Sequence, residues 1–160
     1  MEIRTARAGD LTEIMRVYRT AKAYMDSTGN STQWKDGYPQ QSLVEADISS
    51  QKLYVILNDD RICAAFYFSI GPDVTYAKIY DGAWRSDSIY GVIHRVASDG
   101  TIRGVLRSCV AFCQKQISNL RIDTHENNLT MQNALHKLGF VRCGTIYLEN
   151  GDARIAYQLC

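Results

Sequence analysis

Net charge is almost absent from this chain: 18 Lys and Arg stand against 17 Asp and Glu, leaving a formal +1 at pH 7. Such a balance gives no hold on a polyanion or an acidic bilayer, so neither nucleic acid nor membrane is expected as a partner. No apolar run is long enough to span a bilayer, and the opening "MEIRTARAGD" lacks the apolar core of an export signal. Repeats, linkers and low-complexity tracts are missing too. So is a metal-ligand set: the five cysteines, Cys63, Cys109, Cys113, Cys143 and Cys160, follow no regular spacing. Cys109 and Cys113 fall one helical turn apart, but no further ligands accompany them, so they are read as core packing and no metal is expected. Without an export signal the thiols are expected to be reduced and the protein cytoplasmic.

What is present is an ordinary globular composition, 46% hydrophobic and 22% charged over 160 residues, which suits one domain spanning 1–160. "EIRTA" reads as a first strand. In "GDLTEIMRVYRTAKAYM", Asp10 stands as N-cap with Glu13 three residues on, and Leu11, Ile14, Met15, Tyr18, Ala21 and Met25 form one helical stripe. Glycines and a proline break the pattern from Gly29 to Pro39, predicting a loop, and "QSLVEADISS" reads as a short second helix. "KLYVIL-NDD-RICAAFYFSI" is a hairpin. Asp73 is placed to cap a short helix through Tyr80. "IYGVIHRVAS" is apolar on both faces, as a central strand is, and alternation puts His94 on the side of Val96 and Ser98. A helix over "TIRGVLRSCVAFCQKQ", a strand at "NLRIDT" and a helix capped by Asn127 or Asn128, with Met131, Ala134, Leu135 and Leu138 as its stripe, follow. Gly139 provides the left-handed stop of that helix and Phe140 its hydrophobic contact. A hairpin about Asn150-Gly151 closes the chain.

This order predicts an α/β (α+β) fold with a mixed, mostly antiparallel sheet. One β-α-β crossover needs a parallel strand pair, and the carboxyl ends of those two strands should open the ligand crevice. Between strand and helix, "SDGTIRGVLRS" sets Gly100 and Gly104 beside Arg103 and Arg107. Arginines at a helix start oppose its positive partial charge, so free N–H groups plus two guanidiniums read as an anion site, best suited to phosphate.

The segments "IHRVASDGTIRG" and "ENNLTMQNALHKLGF", with the element order over nearly the whole chain, resemble the GNAT (Gcn5-related N-acetyltransferase) superfamily. The resemblance implies a sheet whose parallel pair splays apart, acetyl-coenzyme A as cosubstrate, and transfer of the acetyl group to an amine. It implies that the pyrophosphate lies on Thr101, Ile102, Arg103, Gly104, Val105, Leu106 and Arg107. The pantetheine would run along Val96, Ala97 and Ser98, and Asn128 would contact the cofactor. Thr101 and Leu106 depart from the family's phosphate-loop pattern. Leu135 stands where many relatives carry the Tyr that protonates the leaving thiolate.

An acid and a base must therefore come from elsewhere. Arg121, Asp123 and His125 share one face of a strand whose carboxyl end should meet the crevice. His125, with Asp123 beside it, is the catalytic candidate, against the alternative that it only orders the turn into the helix; Tyr147 is a further acid candidate. The family's acceptor pocket corresponds to the loop between the first two helices, which makes Trp34 and Tyr38 candidate walls and Asp36 a candidate partner for a cationic amine. The expected function is an N-acyltransferase acting on a primary amine of a small molecule or peptide, by direct attack in a ternary complex. The alternative is a non-catalytic acyl-coenzyme A sensor or partner-binding module of the same fold, and a homodimer stays open.

Overall fold

The computed structural model describes residues 1–160. Its strands are β1 (Glu2–Thr5), β2 (Leu53–Asn58), β3 (Arg61–Ile70), β4 (Gly91–Ser98), β5 (Leu120–Thr124), β6 (Val141–Tyr147) and β7 (Ala153–Leu159). Helices α1 (Leu11–Ser27) and α2 (Gln41–Ser49) lie between β1 and β2, α3 (Val105–Gln114) joins β4 to β5, and α4 (Leu129–Lys137) joins β5 to β6. The sheet runs β1-β2-β3-β4-β5-β7-β6, antiparallel throughout except where β4 meets β5.

That parallel contact is brief. Only Gly91 with Leu120 and Val92 with Arg121 are paired, after which the two strands part. The cause lies in β4. Tyr67 pairs with His94 and Ala65 with Ala97, so β4 carries one residue more than β3 across that interval. The extra residue is a bulge at Arg95, whose φ is 51°, and a bulge bends its strand and strengthens the local twist. The side chain of Arg95 pays for the strained backbone by pairing with the buried Asp47 of α2 at 2.8 Å and donating to the Tyr38 hydroxyl at 3.1 Å. Tyr18 of α1 holds the Arg95 carbonyl at 3.1 Å.

The bulge also corrects the alternation expected for β4. Ile93 and Val96 pack on the α3–α4 side, with Cys109, Leu135 and Phe140, whereas Ala97 packs on the α1–α2 side, with Ile14, Val17 and Val44. His94 therefore does not share the side of Val96; its ring lies against Tyr67 and Tyr76.

Most other elements follow the sequence pattern. The β2–β3 turn uses Asp59 and Asp60 at positive φ, and Gly139 (φ 90°) ends α4 with the Phe140 N–H on the Leu135 carbonyl at 3.0 Å. Asp10 departs from its expected role. It occupies the N-cap of α1 but makes no side-chain cap bond; its carboxylate accepts from the Arg7 N–H at 2.7 Å and from Arg4. The short helix after Asp73 is a single turn, Val74–Tyr76, and the chain then crosses β6 as a strap. The strap is fixed by Tyr80–Thr145 backbone pairing and by Ala83 N–H on the Cys143 carbonyl. Close approach requires glycine there, since a Cβ on Gly82 would sit 1.9 Å from the Cys143 oxygen.

Candidate active site

Two cavities open where β4 and β5 separate, and they meet along Met25, Val96, Asn128 and Met131. The first, of about 760 Å3, runs from the β4 edge along the β4–α3 loop to α4. Asp99 builds that loop. Its side chain is 2% exposed, bonded to Arg16 of α1 at 3.1 Å and to the N–H and hydroxyl of Thr101 at 3.0 and 2.6 Å. Burial alone would raise its pKa, but the bonds from Thr101 and Arg16 outweigh it and hold the carboxyl below its ordinary range.

With Gly100 donating to Ser98 Oγ and Thr101 to Asp99, the N–H groups from Ile102 to Arg107 are left with no partner inside the protein. Gly100 and Gly104 have φ of 81° and 73°, and a Cβ on either would meet no protein atom within 4 Å. Arg103 and Arg107 flank the loop, exposed, and Lys137 closes the far end. Free donors, bare backbone and three cations are what a pyrophosphate requires, and the apolar stretch of the same cavity suits a longer chain. Of the residues expected there, Val96, Ala97, Ser98, Ile102, Arg103 and Gly104 line this cavity, as do Val105, Leu106, Arg107 and Asn128. Thr101 does not, because it is turned onto Asp99.

The second cavity, of about 630 Å3, lies between the Gly29–Pro39 loop, the β4–β5 gap and the start of β7. Trp34, Asp36 and Tyr38 all line it. Trp34 is also 5% exposed and packed edge-on between Tyr18 and Tyr38, so it is core and cavity wall at once. Gln33 ties this loop across the gap, accepting from Asn128 Nδ2 at 2.9 Å while its carbonyl accepts from Arg154 at 2.9 Å.

On the sheet side of the second cavity a chain of polar groups converges. His94 Nε2 lies 2.9 Å from Asp73 Oδ2, and its Nδ1 lies 3.7 Å from Asp123 Oδ1, which accepts the Tyr76 hydroxyl at 2.6 Å. A carboxylate can only accept, so Nε2 carries a proton, and the lone pair of the neutral tautomer is the one on Nδ1. Asp73 is desolvated, which alone would raise its pKa. The bonds from His94 and from Thr75 outweigh that and hold it well below the usual carboxylate range. Burial, and the Asp123 charge after it, push the Tyr76 phenol well above its ordinary value.

Asp123 thus stands where the sequence placed it, in the crevice, with His94 and Asp73 as neighbours that the sequence did not single out. The other two acid–base candidates lie elsewhere. His125 comes after the end of β5 and lines a separate polar hollow of about 460 Å3 with Lys35, Glu126 and Arg142. Its Nδ1 accepts from the Asn127 N–H at 3.0 Å and its Nε2 lies 3.3 Å from Thr32 Oγ1; burial, and then Arg154, lower its pKa. Tyr147 is 48% exposed, edge-on to Tyr80, and lines neither cavity. Arg121, on the same strand face as Asp123, is sandwiched between Trp84 and Tyr90 at 4.0 and 3.9 Å, a packing role. Cys109 and Cys113 are fully buried, and burial pushes the Cys109 thiol up, away from the thiolate a nucleophile needs.

No protein-family model and no curated protein sequence matches the chain. Solved structures do. An acetyltransferase of the GNAT family from Streptococcus agalactiae is 33% identical over 99% of this chain and 94% of its own, with a TM-score of 0.85. An acetyltransferase of the same family from Listeria monocytogenes, 19% identical over 98% of this chain and 92% of its own, superposes with a TM-score of 0.70. A ribosomal-protein-alanine N-acetyltransferase from Brucella melitensis shares the fold at 14% identity and a TM-score of 0.60, over 99% of this chain and 98% of its own.

Proposed function

Because this chain belongs to the GNAT family of acetyltransferases, we propose that it transfers an acetyl group from acetyl-coenzyme A to a primary amine of a small molecule or peptide, by direct attack. The observation that carries this reading is the meeting of the two cavities at Val96 and Asn128, one built for a pyrophosphate and the other floored by carboxylates and an imidazole. The cosubstrate supplies the activated acyl carbon. The N–H groups of Ile102 to Arg107, with Arg103 and Arg107, hold its phosphates, and the β4 edge left unpaired beyond Val92 receives its pantetheine.

The acceptor enters the second cavity as an ammonium. Asp123 Oδ2, which makes no hydrogen bond within the protein, holds it. The amine must lose a proton before it can attack, and Nδ1 of His94 accepts it, with Asp73 fixing the tautomer and stabilising the imidazolium, the division of labour seen in base–orienter pairs generally. The nitrogen then forms its bond to the acyl carbon as the carbon–sulfur bond breaks. The second amine proton goes to solvent and the leaving thiolate takes one from water, since Leu135, where many relatives carry a Tyr acid, is 0% exposed and apolar.

That same Leu135 favours the second reading, a module that holds acyl-coenzyme A without turnover. Thiol release from acetyl-coenzyme A across a panel of primary amines separates them. Amine-dependent release with intersecting double-reciprocal plots is expected. Tight coenzyme A binding with no amine-dependent release would leave the module.

A further inference from the structure

Arg154, at the start of β7, is unusual for a charged residue. It is 5% exposed, yet it lines both the acceptor cavity and the neighbouring hollow, so it forms part of the partition between them. Its guanidinium donates to two carbonyl oxygens, Nη1 to Ala153 at 2.8 Å and Nη2 to Gln33 at 2.9 Å, and is in ion-pairing distance of no carboxylate. Asp152, which lines the same two cavities, is already held by Lys35 at 2.9 Å. A desolvated guanidinium without a counter-ion is costly. At Arg95 that cost is offset by Asp47, and at Arg121, whose nearest carboxylate is the exposed Asp87 at 3.9 Å, by stacking between Trp84 and Tyr90, whereas Arg154 has neither a carboxylate nor an aromatic face against it. Two carbonyl bonds leave three of its five N–H donors to be satisfied from the cavity side.

From this we infer that the acceptor carries a carboxylate as well as an amine, and that Arg154 binds the carboxylate: the substrate class is free amino acids and related amino-carboxylates. The inference rests on the acetyl-transfer reading. Asp123 on β5 and Arg154 on the neighbouring β7 both line the cavity, together with Asp36, Glu149 and Asp152 and the already paired Lys35 and Arg95, and so offer an amine and a carboxylate separate partners. A guanidinium matches a carboxylate as a planar, two-bond fork, which a protein N-terminus in a long peptide or a polyamine does not offer beside its amine. A volume of about 630 Å3 is ample for an amino acid with its side chain. The bland role for Arg154 is to pin the Gln33 carbonyl, and hence the Gly29–Pro39 loop, to β7. Such a pin would act on every acceptor alike.

The test compares matched acceptors that differ only in the carboxylate. Thiol release is measured for a set of free α-amino acids and for the corresponding α-amino amides, with wild type and with Arg154→Gln. For at least one pair, wild type should favour the acid by about tenfold or more in kcat/KM, the discrimination one charge-assisted contact gives. Arg154→Gln should lose that preference, its kcat/KM falling at least about tenfold further with the acid than with the amide. Amides used as well as acids by wild type, or acid and amide rates falling together in the variant, would overturn the inference and leave acetyl transfer standing. If no amine of either kind releases thiol, it is acetyl transfer that has failed, and calorimetry decides the inference separately. Free amino acid binding to the coenzyme A-saturated protein at least about tenfold tighter than its amide supports the carboxylate site. Equal binding, or none, removes it.

Discussion

The crevice holds one imidazole, that of His94, and it is not the one that strand position suggested. His125 comes directly after β5, where a crevice is expected, but its ring is held by Asn127 and Thr32 over a different hollow. Alternation put His94 on the side of Val96, because it has no way to anticipate the bulge at Arg95, and the partner Asp73 is 21 residues away in sequence. What the sequence did make legible was Asp123, since a carboxylate on an interior strand has few structural excuses. His94→Gln should lower kcat by roughly 10²-fold, within the range of general acid–base catalysis, and His125→Gln by less than about tenfold. Steady-state rates on one acceptor check both, and the reverse order would return the base to His125. Asp73 gives an independent pH signature. Its folded pKa lies below the unfolded value of about 3.9, so its contribution to stability is complete above about pH 5 and is lost as the solution is acidified. Asp73→Asn should therefore be less stable than wild type near pH 7, with a gap that is measurably narrower at pH 3. Urea denaturation at the two pH values measures it, and a gap independent of pH would contradict the Asp73–His94 bond.

At the scale of elements, the β4–α3 loop shows how far a motif can be read. Gly100, Gly104 and the two arginines mark this loop in the sequence, because glycine at positive φ and an unbonded helix start are local properties. The loop's anchor was not legible: Asp99 is locked to Arg16 across 83 residues of sequence, and no short-range pattern reports that contact. Thr101 is drawn back onto Asp99, only two residues away, and so lines neither cavity. Gly104→Val should abolish coenzyme A binding, because a branched side chain would both occupy the open space beside the N–H groups and strain a residue at φ 73°. Arg103→Ala, which disturbs no backbone, should weaken binding by about 1–3 kcal/mol. Calorimetry with coenzyme A is the check; unchanged affinity in both variants would remove the anion site.

Across the whole molecule, function depends on the gap between β4 and β5, and distant parts of the chain keep that gap in shape. Tyr18 from α1 and Asp47 from α2 hold the bulge, Gln33 bridges to Asn128 and Arg154, and the strap after β3 delivers Asp73 to His94. The element order and the parallel crossover could be read from hydrophobic period and turn residues. The gap's width and the convergence of these side chains could not, since each contact joins residues 21 or more positions apart. The resulting claim is that donor and acceptor meet in one crevice and the acetyl group passes between them without residing on the protein. It is tested most directly by mixing the protein, in stoichiometric amount, with acetyl-coenzyme A and an acceptor amine identified by thiol release, quenching within one turnover, and weighing both protein and amine. The predicted result is acetylated amine at one equivalent of thiol released, with the protein at its unmodified mass throughout. Acetylated protein that forms before the acetylated amine, or thiol released with no acetyl group on the amine, would contradict it.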